Sequence, residues 1–331
     1  MNKKRWVALG IAFLLFIVSL IAQVSEKMAT ANWEDYFAGF DEDFVETVIQ
    51  DGDYDNRIAV ISIDGVIQDD GGGSLFSSEG YNHQDMLTFL DFAAEDDSVG
   101  GIILRINSPG GGVVESAEVH DKVAEIQKEY KKPIYVSMGN TAASGGYYIS
   151  AAAEKIVAHP ATLTGSIGVI MENIDYSRLA NDLGVDFNTI KSGKYKDIMS
   201  SSRKMTQDER EILQTMIDQM YGEFVQVIVK GRHMSEKKVR QLGDGRVYTG
   251  IQAKENGLVD ALGSLDDTIA MMEKDHNLAD AEVFRYDSSG FFGSWASAAV
   301  QKTFGVEKDF FGIRALIKES DSPRAMYLYT R

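Results

Sequence analysis

The chain has 331 residues, 33 basic and 50 acidic, which gives a formal net charge of −17 at pH 7. This acidic balance argues against nucleic acid as a partner, because phosphate binding needs a basic surface. The chain has no cysteine, so disulfides, thiolate catalysis and cysteine-ligated zinc are excluded.

The N-terminus carries a predicted membrane anchor. Three basic residues at positions 3–5 precede an uncharged run at 6–25, which at ~1.5 Å per residue can cross a ~30 Å hydrocarbon core as a helix. The positive charges predict a cytoplasmic segment at 1–5, with the rest of the chain outside the cytoplasm, at the cell membrane. A cleaved signal peptide is the alternative, because residues 29–31 resemble a cleavage site. The run exceeds the ~7–15 apolar residues of a signal peptide, which favours a single-pass anchor that is not cleaved.

The remaining chain divides into three predicted parts. Residues 26–56 are acidic without an apolar period and predict a solvated stalk, residues 57–289 predict a folded domain, and the poorly periodic residues 290–331 predict a tail outside the core. Strands that alternate with helices indicate an α/β fold with a mostly parallel sheet. The predicted strands are 58–63, 100–106, 134–137 and 155–158, and the predicted helices are 85–95, 115–130 and 206–230.

The turn at residues 141–148 is the first candidate site. Ser144 stands among alanine and glycine residues between a predicted strand and a predicted helix. Such a turn presents the serine oxygen at a helix N-terminus, whose N–H groups favour negative charge, as a nucleophile requires. A purely structural tight turn is the alternative, since small residues also permit close packing.

Two further turns, at 107–112 and 164–168, also follow predicted strands. Because ligands bind at the carboxyl ends of parallel strands, we expect the three turns to converge. One N–H from the glycine turn and that of Ser144 would together form an oxyanion hole. The chain lacks the Gly-x-Gly-x-x-Gly and Gly-Lys-Ser signatures, so no nucleotide cofactor is predicted.

A nucleophilic serine needs a base, and the sequence offers histidine or lysine. None of the five histidines lies in a turn that resembles a catalytic element: His83, His120, His159, His233 and His276. The segment 191–197 supplies Lys191, Lys194 and Lys196. A lysine acts as a base only when desolvation lets it lose its proton near neutral pH. Spacing alone does not choose among these three, and each is otherwise a solvated surface charge.

Four segments occur in one order along the chain: Ser-Pro-Gly-Gly-Gly at 108–112, Ala-Ala-Ser-Gly-Gly-Tyr-Tyr at 142–148, Thr-Gly-Ser-Ile-Gly-Val at 164–169 and Lys-Ser-Gly-Lys-Tyr-Lys-Asp at 191–197. Together they resemble the signal peptide peptidase A family in its short, single-copy form. The resemblance runs from about residue 56 to residue 270. It implies a membrane-anchored serine protease with a ClpP/crotonase-like fold of repeated β-β-α units, preceded by one transmembrane helix.

The resemblance also implies roles for individual residues. By matching position, Ser144 is the nucleophile, Lys196 is the general base and Ser166 holds the Lys196 amine, which leaves Lys191 and Lys194 without a catalytic part. The other implied residues are Gly111 and Ser144 as the backbone donors of the oxyanion hole, and Gly110 and Gly112 as substrate-binding residues. No cofactor and no metal are implied.

The implied substrates are remnant signal peptides and other apolar or misfolded peptides on the extracytoplasmic side. The resemblance implies a ring-like homo-oligomer in which Ser144 and Lys196 come from neighbouring subunits. Two alternatives stay open: a crotonase-like acyl-CoA enzyme and a non-catalytic membrane-anchored scaffold.

The apolar residues 325–329 suggest that the end of the tail enters a cleft selective for apolar peptides, where it is trimmed or inhibits the enzyme.

Overall fold

The computed structural model describes residues 44–69, 81–288 and 325–329. The predicted anchor at 6–25 lies outside these residues, and no helix within them combines the length and apolarity needed to span a bilayer. The chain separates into two compact units. The larger contains residues 46–286 and 290–331, and the other is described only at residues 44, 45, 287 and 288.

The described part of the chain contains eleven strands. They are β1 (Phe44–Gln50), β2 (Asp53–Asp64), β3 (Val99–Ser108), β4 (Gly110–Gly112), β5 (Ile134–Ala143), β6 (Lys155–Ala158), β7 (Leu163–Gly165), β8 (Val247–Thr249), β9 (Ala261–Leu262), β10 (Ala281–Ser288) and β11 (Met326–Leu328). The main sheet has the order β1-β10-β2-β3-β5-β6-β9, with β7 paired to β5 and β8 to β7. Strands β4 and β11 form a second, two-stranded sheet.

Helices connect the strands. They are α1 (His83–Glu95), α2 (Val113–Glu125) with a π-helical turn (Ile126–Tyr130), α3 (Gly145–Ser150), α4 (Ser177–Asp182), α5 (Gln207–Gly231), α6 (Glu236–Leu242), α7 (Gly250–Asn256) and α8 (Leu265–His276). Strand β2 pairs in parallel with β3, and β3 pairs in parallel with β5. This arrangement confirms the predicted α/β fold with a mostly parallel sheet.

The centre of the sheet is apolar on both faces. Ile102, Ile103 and Leu104 are consecutive on β3, and all three are 0% exposed. Continuous apolar runs of this kind are typical of parallel strands that are covered on both sides. The polar turns at the carboxyl ends of these strands are therefore held on a rigid support.

The predicted stalk at 26–56 is corrected at its C-terminal end. Strand β1 and the first residues of β2 occupy 44–50 and 53–56, so this part is folded. Most β1 side chains are exposed, because it lies at the edge of the sheet, and its sequence therefore lacks the apolar pattern of a buried strand. Glu46 contacts the buried Arg57 at 2.5 Å and ties β1 to the domain.

The long helix predicted at 206–230 is confirmed as α5. Thr206 and Glu209 form a capping box at its start, a pattern that is typical of helix N-termini. Apolar side chains of α5 are buried only toward its C-terminal half, at Phe224, Val225 and Ile228, whereas Met216 is 42% exposed. The first half of α5 therefore has apolar side chains that one chain leaves in solvent.

Candidate active site

Ser144 lies in a strained turn between β5 and α3. Its backbone has φ 53° and ψ −113°, a positive φ that residues other than glycine rarely adopt. The N–H of Ser144 donates to the Gly165 carbonyl oxygen at 2.8 Å, and its carbonyl oxygen accepts from the Tyr148 N–H at 2.8 Å. Ser144 is 1% exposed. These bonds hold the backbone in a conformation that turns the strand sharply into the helix.

Ser166 occupies the equivalent position on the neighbouring strand. Strand β7 pairs in parallel with β5 so that Gly165 lies opposite Ala143, and the two serines follow directly. Ser166 also has a positive φ, 51°, and its N–H donates to the Arg246 carbonyl oxygen at 2.9 Å. The pairing therefore brings the second and third predicted turns side by side.

The glycine turn lies against the Ser144 turn. Gly110 has φ 98°, and a β-carbon there would collide with the Tyr327 carbonyl oxygen and stand 2.6 Å from the Gly145 nitrogen. The Gly111 nitrogen lies 3.1 Å from the point that a β-carbon on Gly145 would occupy. The three turns predicted to converge thus meet around one small space, and only glycine leaves that space open.

The backbone donors around this space differ from the predicted pair in one respect. The Ser144 N–H is already bonded to Gly165, which makes it a poor donor to a ligand. The Gly145 N–H is in the first turn of α3, where N–H groups lack helical partners, and it lies beside Gly110 and Gly111. The sequence analysis missed Gly145, although the residue after a nucleophile at a strand-to-helix turn is a known oxyanion donor.

The end of the tail lies in a groove beside Ser144. Strand β11 pairs antiparallel with β4, with Tyr327 opposite Gly111. On its other side, Met326 and Ile170 exchange two backbone hydrogen bonds of 3.0 Å. An extended segment is thus held from both edges, which is how many proteases and peptide-binding domains hold peptides. The predicted entry of the tail into a cleft agrees with this placement.

The Tyr327 side chain fills an aromatic pocket. It is 1% exposed, with ring centroids 5.0 Å from Tyr148 and 4.7 Å from Phe224, and its hydroxyl donates to the Met220 carbonyl oxygen at 3.2 Å. Burial raises the pKa of Tyr148 to about 12, so this wall is neutral. The prediction that the tail lies outside the core is wrong at Tyr327, which is buried. The sequence does not reveal this contact, because a single buried aromatic residue in an irregular segment produces no periodic pattern.

The three candidate lysines have different surroundings. Lys191 contacts Asp197 at 2.5 Å, and Lys194 contacts Asp208 at 2.5 Å. Lys196 is exposed, and its ammonium has no ion pair or hydrogen bond with any residue in the described ranges, Ser144 included. Of these three lysines, Lys196 alone makes no contact with a carboxylate of the described residues.

Two of the histidines form contacts away from Ser144. His83 is buried and bonded to the Tyr81 hydroxyl at 2.6 Å and to Glu118 at 2.7 Å, while His120 contacts Asp121 at 2.9 Å. Across the residues that the structure describes, no histidine is hydrogen-bonded to Ser144. The side-chain geometry therefore gives no support to a histidine base.

Comparison with known proteins identifies relatives of this chain. Residues 126–279 match the model of peptidase family S49. An Enterococcus faecium protein provisionally named signal peptide peptidase SppA is 41% identical, over 99% of this chain and 99% of its own length. Protease 4 of Haemophilus influenzae is 35% identical over 66% of this chain and 35% of its own length. The chloroplastic serine protease SPPA of Arabidopsis thaliana is 35% identical over 53% of this chain and 26% of its own length.

Proposed function

Because this chain belongs to peptidase family S49 and is a serine protease, we propose that it is a membrane-anchored endopeptidase with Ser144 as nucleophile and Lys196 as general base. One observation carries the proposal. The buried Ser144 stands at a strained strand-to-helix turn beside a groove that already holds an extended peptide segment. The Ser144 turn therefore lies next to the backbone of a segment bound in the groove, since the position of a β-carbon on Gly110 is close to both the Tyr327 carbonyl oxygen and the Gly145 nitrogen.

The proposed reaction begins with the neutral Lys196 amine, which takes the Ser144 hydroxyl proton as the oxygen attacks the scissile carbonyl carbon. The N–H groups of Gly111 and Gly145 donate to the resulting oxyanion. The Lys196 ammonium then protonates the leaving amine, and the peptide bond breaks to give an acyl-enzyme. Water hydrolyses this ester by the same steps, with Lys196 again accepting and returning a proton. The Ser166 hydroxyl orients the Lys196 amine.

The dyad is proposed to form between two copies of the chain in a ring-like homo-oligomer. Lys196 is exposed in one chain and has no bond to Ser144 within the described ranges. The segment that leads to it also exposes large apolar side chains, as a surface covered by another subunit would. These side chains are Ile174, Leu179, Leu183, Val185, Phe187 and Ile190.

The proposed substrates are remnant signal peptides and other apolar peptides outside the cytoplasm. The aromatic pocket that Tyr327 occupies favours an apolar side chain near the cleaved bond.

We propose residues 6–25 as a single-pass anchor at the cell membrane, residues 57–289 as the protease domain and residues 290–331 as a tail that binds the groove. The parallel sheet and the Ser144 turn support a ClpP/crotonase-like fold for this domain.

Peptide hydrolysis by the full chain in detergent tests the dyad. Wild type, Ser144→Ala and Lys196→Met are compared from pH 6 to 10, with Lys194→Met as the matched control because Lys194 pairs with Asp208. We expect both dyad variants to lose activity by ~10²-fold or more, the control to keep it, and the wild-type rate to rise with pH. Full activity in Lys196→Met would exclude it as the base.

A further inference from the structure

Arg203 holds the segment that contains Lys196. Its guanidinium binds both carboxylate oxygens of Asp197, the residue after Lys196, with Nε at 2.8 Å from Oδ2 and Nη2 at 2.7 Å from Oδ1. The same Nη2 donates to the Asp197 carbonyl oxygen at 3.1 Å. The side chain and the backbone of Asp197 are therefore both bound to one planar group.

The other side of this guanidinium is bound to helix α5. Nη1 lies 2.9 Å from Oε2 of Glu209, and Nη2 lies 2.5 Å from Oε1. Glu209 is 2% exposed and is part of the capping box with Thr206. Arg203 thus joins the lysine segment to the first turn of a 25-residue helix.

We propose that Arg203 is a positioning residue for the Lys196 general base. It fixes the backbone next to Lys196, and together with Lys191 it engages the Asp197 carboxylate, which is then less able to pair with the neighbouring Lys196 ammonium. The inference rests on the proposed function, since it assumes that Lys196 is the base. An ammonium paired with a carboxylate retains its proton, whereas a base must release it.

The charged groups around Asp197 are consistent with this role. Arg203 and Lys191 both contact Asp197, and Glu209, from α5, shares Arg203. The hydrogen bonds from Arg203, followed by that from Lys191, hold the pKa of Asp197 well below its usual range. The bond from Arg203 likewise lowers the pKa of Glu209, to about 2. Both carboxylates are therefore ionised at any working pH. Removal of Arg203 would leave the charged Asp197 beside Lys196 with the Lys191 ammonium as its remaining ion-pair partner among the described residues.

Arginine fits this position better than lysine. A guanidinium presents five N–H donors in a flat fork, which matches two carboxylates and two carbonyl oxygens at once. The fourth acceptor is the Lys204 carbonyl oxygen, 3.2 Å from Nη1. Lysine would supply the charge but only one donor centre, so Arg203→Lys would neutralise Asp197 without fixing its orientation.

The test compares pH profiles of peptide hydrolysis by the full chain for wild type, Arg203→Met, Arg203→Lys and the double variant Arg203→Met with Asp197→Asn. We expect Arg203→Met to lower kcat about 10- to 100-fold at pH 7 with little change in KM. The acidic limb of its kcat–pH profile should move to higher pH, so that the loss of kcat becomes smaller toward pH 10. Arg203→Lys should recover part of kcat. The double variant should return the acidic limb toward the wild-type pH, because the carboxylate is gone.

Arg240→Met is the matched control, because Arg240 pairs with Glu236 on the exposed helix α6 and should keep wild-type kinetics. An equal loss for Arg203→Met at every pH, or no shift of the limb between the single and double variants, would overturn the proposal in favour of a structural role. Lys196→Met in the same series separates the two hypotheses. If it is inactive while Arg203→Met equals wild type, only the Arg203 proposal fails, whereas an active Lys196→Met refutes the proposed function itself.

Discussion

Single residues in unusual backbone conformations shape the site. Ser144 and Ser166 have φ values of 53° and 51°. Each conformation costs about 1–3 kcal/mol and persists only because the surroundings impose it. Here the surroundings are backbone hydrogen bonds to Gly165 and Arg246. Two adjacent strands that both end in a left-handed serine are better explained by the need to present two hydroxyl groups than by chain reversal alone.

The substitution Gly110→Ala tests the groove at the residue scale. A β-carbon at Gly110 would meet the carbonyl oxygen of a strand bound on β4, as it would meet that of Tyr327. Overpacking of this kind costs ~1–3 kcal/mol, so we expect KM for a peptide substrate to rise about tenfold or more. Steady-state kinetics measure the change.

The matched control is Gly257→Ala. Gly257 also has a positive φ, 85°, but nothing lies within 4 Å of its added β-carbon. This variant should lose ~1–2 kcal/mol of stability from the backbone strain alone and keep its KM. A Gly110→Ala enzyme with the same KM as Gly257→Ala would show that peptides do not bind along β4.

At the scale of elements, the most informative strand is β11. Its three residues come from the far end of the chain, yet they pair with the glycine strand beside the proposed nucleophile, and the Tyr327 carbonyl oxygen lies near the Gly145 nitrogen. In the proposed mechanism, the carbonyl of a peptide about to be cleaved stands at this place. The segment therefore occupies the groove as a substrate would.

Removal of residues 325–331 tests the tail. If β11 competes with substrate, the truncated protein should show a higher kcat/KM for an added peptide at early times, by severalfold, because an intramolecular competitor has a high effective concentration. A shorter truncation that removes only residues 330 and 331 is the control. Intact masses of wild type and Ser144→Ala show whether the tail is also cut. Identical masses together with unchanged kinetics would exclude both inhibition and trimming.

At the scale of the whole molecule, the shared dyad makes a quantitative prediction. We expect Ser144→Ala and Lys196→Met each to be inactive. If each site takes its serine from one subunit and its lysine from the next, a 1:1 mixed oligomer should regain about one quarter of wild-type activity. The two proteins are unfolded together, refolded and assayed. A mixture as inactive as its components, at an oligomeric state equal to that of wild type, would place both residues in one chain.

The interface prediction follows from surfaces that one chain leaves uncovered. The first half of α5 and the segment at 174–190 expose apolar side chains. An apolar stripe along a helix indicates only that the stripe is covered by some other surface. Whether the cover is the same chain or another copy depends on where the helix lies.

The sequence by itself determined the parallel α/β fold, the start of α5 and the three turns, because apolar periodicity, capping residues and glycine runs act over a few neighbouring residues. Only the tertiary structure decided which groups meet. It placed Gly145 beside Gly111, bonded the Ser144 N–H to Gly165 and brought Tyr327 against Tyr148. It also left Lys196 without a carboxylate partner in the part of the chain that the structure describes, while Arg203 bound Asp197. These contacts join residues far apart in the chain, or depend on which of several nearby partners a side chain selects, and no local pattern encodes either.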